Sequence, residues 1–166
     1  MEGKRKMLEV EKLTKSHIEY LYPIIKEYKD AHSDLNFRTE YLENFIQIIN
    51  ELLDNDEKMA YIAKYEGKVV GLIIGIIESN SRLELPNEIG YIGLLTVLKE
   101  YRRKGIGKEL VDKLKEWFKE KKITEIELFT TINNEESRRF WDKNGYKVYL
   151  ERRKLNVFEY IVSLKL

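Results

Sequence analysis

The segment Tyr101-Arg102-Arg103-Lys104-Gly105-Ile106-Gly107-Lys108 sets four basic side chains and two glycines within eight residues. It follows an apolar, strand-like run at 89–97 and opens into a run with helical spacing at 109–121. A basic, glycine-containing turn at a helix start is a device for holding phosphate. Glycine lets the backbone approach an anion with no side chain in the way, and the first helical N–H groups lack intrahelical acceptors. The helix dipole adds partial positive charge at the same end. The same turn type also holds nucleotides or simply reverses the chain, so by itself it does not name a ligand.

Composition narrows the field. The 166 residues suit a single domain, 1–166, with no repeat, low-complexity tract or linker dividing it. The absence of cysteine excludes disulfides, cysteine–zinc sites and a thiol nucleophile; a cytoplasmic protein without a metal site is expected. No apolar run approaches the ~20 residues needed to cross a membrane, and no secretory signal follows Met1. With 30 Lys+Arg against 29 Asp+Glu, broad attraction to nucleic acid is not implied. Local clusters at 102–104 and 152–154 are the only footing for that reading.

The elements that must position the turn follow from periodicity. Residues 8–13 alternate as a first strand. Ser16-His17-Ile18-Glu19 has capping-box spacing and predicts a helix over 16–29, with Pro23 near its first turn. Leu42, Phe45, Ile46, Ile49, Leu52 and Leu53 predict a second helix over 39–53. Residues 59–65 and 68–77, separated by Glu66-Gly67, predict a hairpin whose second strand is apolar on both faces. After a polar loop at 78–88 come the strand 89–97, the basic turn, and a helix striped with Leu110, Val111, Leu114, Trp117 and Phe118. A strand at 124–131 follows, then a short helix at 134–143 ended by Asn144-Gly145. Alternating runs at 146–153 and 157–164 predict a closing hairpin. The order β-α-α-β-β-β-α-β-α-β-β is that of an α+β domain, a central sheet flanked by helices.

Arg102-x-x-Gly105-x-Gly107, with Val97 ending the strand before it, resembles the acetyl-CoA signature of the GCN5-related N-acetyltransferase (GNAT) superfamily. The second run Asn134-x-x-Ser137-x-x-Phe140-Trp141-x-x-x-Gly145-Tyr146 is similar to that family's later motif. The order of elements matches over nearly the whole chain. Lys99 stands where the family often has proline, and Arg103 where it often has glycine. Trp141 stands where many members carry a tyrosine thought to protonate the leaving thiolate. An indole N–H cannot inherit that role.

The resemblance implies a mixed, mostly antiparallel sheet and acetyl transfer from acetyl-CoA, as cosubstrate, to a primary amine. Attack would be direct, within a ternary complex. Backbone N–H groups from Arg103 through Lys104, Gly105, Ile106 and Gly107 to Lys108 would bind the pyrophosphate. Arg102, Arg103 or Lys104 would reach the ribose phosphate, and Lys104 and Lys108 would supplement the turn. Leu95, Thr96 and Val97 would offer main-chain groups to the pantetheine arm, with the Val97 N–H polarising the thioester carbonyl. Asn134 is a candidate cofactor contact; an N-cap role suits it equally. Glu88 is the first candidate for general base, with Glu78 and Glu84 nearby. His32, in a polar loop, titrates in a useful range. The general acid stays unassigned, Tyr146 and Tyr149 being the other phenols considered. The acceptor is expected in a groove collecting Tyr28, His32, Asp34, Phe37 and Tyr149, and its identity is not legible. A non-catalytic acetyl-CoA-binding module is the alternative, and the closing hairpin offers an edge for a homodimer.

Overall fold

The computed structural model describes residues 7–32, 35, 40–80 and 86–155. The chain divides into two compact units, Met1–Asn134 and Glu135–Leu166. In the first, five strands lie in the spatial order β1-β2-β3-β4-β5: β1 (Leu8–Lys12), β2 (Lys58–Tyr65), β3 (Lys68–Ser79), β4 (Glu88–Val97) and β5 (Ile126–Leu128). The first three pairings are antiparallel and β4–β5 is parallel, giving the mixed, mostly antiparallel sheet expected. Glu66 and Gly67 both take positive φ, 51° and 84°, the backbone that closes a two-residue hairpin with the strands' own twist.

Three helices belong to this unit: α1 (Tyr22–Ala31), α2 (Tyr41–Leu53) and α3 (Ile106–Glu120). α3 lies over one face of the sheet. A Cβ built on Gly71 would come 3.1 Å from Leu110, and one on Gly90 would come 2.7 Å from the Phe118 ring. Val70, Leu72, Ile74 and Leu94 are buried on the opposite face. That face is covered by α1, which packs on β3 and β4, and α2, which packs on β2. Ile24, Ile25, Ile49 and Leu52 are their buried anchors. No helix among the described residues is long and apolar enough to cross a membrane.

Two expectations need correction. The capping box is not Ser16/Glu19. Thr14 is the cap, its backbone N–H donating to His17 Nδ1 at 3.1 Å, and Lys15–Tyr20 is a 3-10 turn. The α-helix starts only at Tyr22, with Pro23 in its first turn, where the missing N–H would have had no partner anyway. In the second unit, α4 (Glu135–Lys143) ends at Gly145, φ 85°, as expected. Residues 146–155, however, carry no strand. Val148, Tyr149 and Leu150 are exposed, and alternation alone does not make a strand without a ladder of hydrogen bonds. The expected last strand, 157–164, lies outside the described residues.

Candidate acetyl-CoA site

The basic turn is built on a rigid entry. Leu98 is buried and its N–H donates to Val70 O at 2.9 Å, fixing the end of β4 to β3. A short 3-10 turn, Lys99–Tyr101, carries the chain outward. Arg103 then takes φ 64° and Gly105 φ 80°, both left-handed, and α3 begins. A Cβ on Gly105 would meet nothing within 4 Å, so the space over the turn is open. Glu109 N–H makes the first intrahelical bond, to Gly105 O at 3.1 Å. The N–H groups of Ile106, Gly107 and Lys108 therefore precede any intrahelical acceptor. Ile106 is only 2% exposed, so its side chain roots the helix in the core while its amide stays at the turn. The helix starts three residues before the periodicity indicated because the left-handed glycine, and not the apolar stripe, fixes its first residue.

The basic side chains divide into two groups. Arg102 turns inward: its Nε donates to Val97 O at 3.0 Å and its Nη2 to Glu27 Oε1 at 2.6 Å. Lys104 lies over the rings of Tyr65 and Tyr101, at 4.6 and 5.2 Å, and these two rings meet edge-on at 5.7 Å. Both cations thus have partners within the fold, Arg102 on β4 and α1 and Lys104 on the two rings. Arg103 and Lys108 stay at the surface. Lys108 pairs with Asp112 one turn along, and that hydrogen bond raises the ammonium pKa. Sequence reading missed Glu27 and Tyr65; only the fold brings them to the turn, from 36 or more positions away.

The strand edge beside the turn is the second part of the site. β5 pairs with β4 only from Gly90↔Ile126 to Ile92↔Leu128, so β4 has no neighbour on that side from Gly93 onward among the described residues. The β3–β4 register slips between Ile74↔Leu94 and Gly75↔Ile92, making Gly93 the extra residue of a β-bulge. A strand residue presents its N–H and C=O to one edge, and its neighbours to the other. Gly90 N–H donates to Glu125 O, on the β5 side, at 2.9 Å, and Leu98 N–H donates to the β3 side. The bulge reverses the parity between them. Leu95 and Val97 therefore direct their amides to the edge that β5 has left. Thr96 directs its own into the β3 ladder, opposite Leu72, so it is removed from the groups able to receive an arm.

Glu88 is not brought to this place. It is the first residue of β4, nine residues before Val97, and at a strand's rise the two lie roughly 25–30 Å apart. A general base must reach its proton directly or through one water. Glu78 lies at the same end of the sheet, opposite Ile89, and Glu84 falls outside the described residues. Glu88 and Val97 thus stand at opposite ends of β4.

The remaining candidates are placed as follows. Asn134 sits in a turn immediately before α4, its N–H donating to Thr131 O at 3.1 Å. Trp141 is buried in the second unit and meets the rings of Phe140 and Tyr146 edge-on, at 5.0 and 4.9 Å. Tyr149 is exposed. Tyr28 stacks on His32 with ring centroids 4.3 Å apart, and His32 Nδ1 lies 2.9 Å from Tyr28 O. Burial raises the pKa of Tyr28 and, more strongly, that of Tyr41 on α2, so both phenols stay protonated. Asp34 and Phe37 lie outside the described residues.

Comparison with known proteins converges on one group. The family model described as the acetyltransferase (GNAT) family matches residues 18–146. A structure from Clostridium acetobutylicum, described as a predicted acetyltransferase with acetyl-CoA, superposes with a TM-score of 0.74 at 18% identity, covering 92% of this chain and 98% of that one. A GCN5-related N-acetyltransferase from Ralstonia eutropha JMP134 gives 0.70 at 18% identity, over 90% and 98%. The aminoglycoside N-acetyltransferase AAC(6')-Iy in complex with CoA gives 0.72 at 17% identity, over 93% and 100%.

Proposed function

Because the chain belongs to the acetyltransferase (GNAT) family, we propose that it moves an acetyl group from acetyl-CoA to a primary amine, by direct attack within a ternary complex and with the chain, 1–166, acting as one catalytic domain. One observation carries this reading: the open α3 N-terminus adjoins a strand edge with outward amides at Val97 and Leu95. The helix N-terminus suits a pyrophosphate. The free edge suits an arm with two amides, received as an added strand.

The residues present fit acetyl-CoA as follows. The N–H groups of Ile106, Gly107 and Lys108 hold the pyrophosphate, with the exposed Arg103 and Lys104 the cations beside the turn. Val97 pairs with the arm. An arm of that chemistry is about as long as four or five residues of strand, so the thioester comes to rest beside Leu95 and Gly93. The oxyanion donor is then the Leu95 N–H rather than that of Val97. It strengthens its hydrogen bond as charge develops on the carbonyl oxygen. The amine nitrogen forms the new N–C bond, the C–S bond breaks, and the sulfur departs as thiolate, which takes a proton from water. A thiol pKa of ~8.5 makes that departure undemanding, so Trp141 in place of a phenol is tolerable. The amine gives its own proton to water or buffer base. Asn134 contributes a side-chain contact to the cofactor. Its replacement by Ala lowers acetyl-CoA affinity if so, and lowers only thermal stability if it merely caps α4.

The decisive test is calorimetric titration with acetyl-CoA, with Gly105→Glu/Gly107→Glu as control, followed by an amine screen. The screen spans aminoglycosides, which several structural neighbours are described as acetylating, together with polyamines, amino acids and peptide N-termini. Micromolar binding abolished in the control supports the reading; no binding removes it. Trp141 favours one second reading, a module that binds acetyl-CoA without turnover. Release of free coenzyme A on addition of an amine excludes it. A homodimer is part of the same proposal, and a particle of monomer mass in light scattering removes that part.

A further inference from the structure

The sheet has an open corner where β1 stops short of its neighbour. The β1–β2 ladder ends at Lys12↔Tyr61, and Leu13 N–H makes one more bond, to Ala60 O at 2.9 Å. β2 begins earlier. Its Lys58 and Met59 pair with Ile76 and Gly75 of β3 and have no strand on their other side among the described residues. Two helices end at this corner, one from each face of the sheet: α2 at Leu53 and α3 at Glu120. A cavity of about 250 Å³ lies there, lined by both helix ends and the start of β2. Ligand pockets commonly begin at about 300 Å³, so this one suits a small metabolite.

Floor and rim of the cavity differ in chemistry. Leu13, Leu52, Ala60 and Trp117 line it and are all buried, giving an apolar floor. Lys12, Lys58 and Lys121, with Asp56 and Glu120, line it as half-buried or exposed residues and make the rim. Charges of both signs around one small space would ordinarily neutralise each other. Here, among the described residues, no ion pair or side-chain hydrogen bond engages any of the five. Elsewhere on α3 the same residue types do pair, Lys108 with Asp112 and Lys113 with Glu116. The rim is therefore a set of opposite charges held apart around an apolar hollow.

We propose that this cavity is a second ligand site, which binds a free aliphatic α-amino acid. The ligand's ammonium group meets Asp56, Glu120 and the partial negative charge at the ends of α2 and α3. Its carboxylate meets the three lysines, and its side chain covers the apolar floor. A ligand with a single charge would answer only one sign of the rim. One without an apolar body would leave the floor in contact with water. Glu120 is a helix length from Ile106, roughly 20 Å along α3, so the cavity is separate from the glycine turn. The inference does not rest on the acetyltransferase reading.

The test is calorimetric titration with L-leucine in the absence of acetyl-CoA. Leucinamide, which lacks the carboxylate, and isocaproate, which lacks the ammonium group, are the comparison ligands. L-Leucine is expected to bind saturably, and each analogue at least about tenfold more weakly for want of one charge-assisted partner. Glu120→Gln should weaken L-leucine by about tenfold and leave isocaproate unchanged. Lys58→Gln should weaken L-leucine to a similar extent and leave leucinamide unchanged. A merely structural loss would instead lower all three ligands alike. Melting temperatures check that both variants fold, and if one does not, the other carries the comparison. No binding of L-leucine overturns the inference. So does equal binding of the three ligands, or an L-leucine affinity that neither substitution changes.

Discussion

The Arg102 guanidinium holds Glu27 of α1 at 2.6 Å while its Nε reaches back to Val97 O at 3.0 Å. One side chain thereby joins the basic turn, the end of β4 and the helix on the opposite face. Both partners' side chains are about a quarter exposed, 25% and 24%, so the pair is screened far less than a surface ion pair. Arg102→Ala should cost about 2 kcal/mol, as expected for a charge-assisted bond lost with its carboxylate left behind. Glu27→Gln, which keeps an acceptor, should cost less. A double-mutant cycle by chemical denaturation reads the coupling directly, and a value indistinguishable from zero would show that the contact is incidental. Acetyl-CoA affinity should fall with Arg102→Ala through loosening of the turn.

Gly105 sits at φ 80° with open space around its missing side chain. Gly105→Ala is therefore penalised by backbone strain alone, about 1 kcal/mol, visible as a modest drop in melting temperature. Gly105→Glu adds a negative charge where the helix N-terminus would attract an anion. Acetyl-CoA affinity should fall at least tenfold further than in the alanine variant, by roughly 1.4 kcal/mol or more. Equal affinities for the two variants would mean that no anion binds there.

Gly90 illustrates the opposite constraint. A Cβ would stand 2.7 Å from the Phe118 ring, itself 1% exposed, and a buried aromatic ring has little room to withdraw. Gly90→Ala should destabilise the fold by roughly 1–3 kcal/mol through overpacking. The measurement is the denaturation midpoint, against Gly90→Ala/Phe118→Leu, in which the smaller side chain should restore part of the loss.

Glu88→Gln should leave kcat/KM and its pH profile unchanged within about twofold, because strand length keeps that carboxylate roughly 15–20 Å from a thioester resting beside Gly93 and Leu95. A tenfold loss, or a displaced acid limb in the profile, would return Glu88 to the chemistry.

Glu11 links β1 to two neighbours, pairing with Lys64 and lying 3.0 Å from His17 Nε2. The hydrogen bond from Lys64, foremost, holds its carboxyl below the ordinary range. A lowered folded-state pKa contributes stability that is present above the unfolded value of about 4.3 and is lost as pH falls through the folded one. Glu11→Gln should thus cost about 0.5 kcal/mol near pH 7, the carboxylate being 40% exposed, and nothing once the wild-type carboxyl is protonated. A difference that persists unchanged in acid would assign the effect to packing.

Much of this protein is written locally. Glu66-Gly67 closes its hairpin because two adjacent left-handed residues permit nothing else so compact, and Gly105 opens α3 for the same kind of reason. The apolar stripe Leu110, Val111, Leu114, Trp117 and Phe118 is buried as its spacing requires. The two motifs sufficed to name the family. Where local rules gave two answers, sequence chose wrongly: Ser16 and Thr14 both suit a cap, and His17 decided for Thr14 by accepting its N–H.

The sequence by itself determined the order of the elements, the glycine turn and the family, because periodicity, left-handed glycines and helix ends are properties of neighbouring residues. Only the tertiary structure decided which of those residues meet. Arg102 met Glu27 because α1 packs on β4, and Lys104 met Tyr65 because strand pairing brings the end of β2 beside the end of β4. The bulge at Gly93 turned Leu95 and Val97 outward and Thr96 inward, since one inserted residue reverses the parity of every amide after it. Strand length set Glu88 and Val97 at opposite ends of β4.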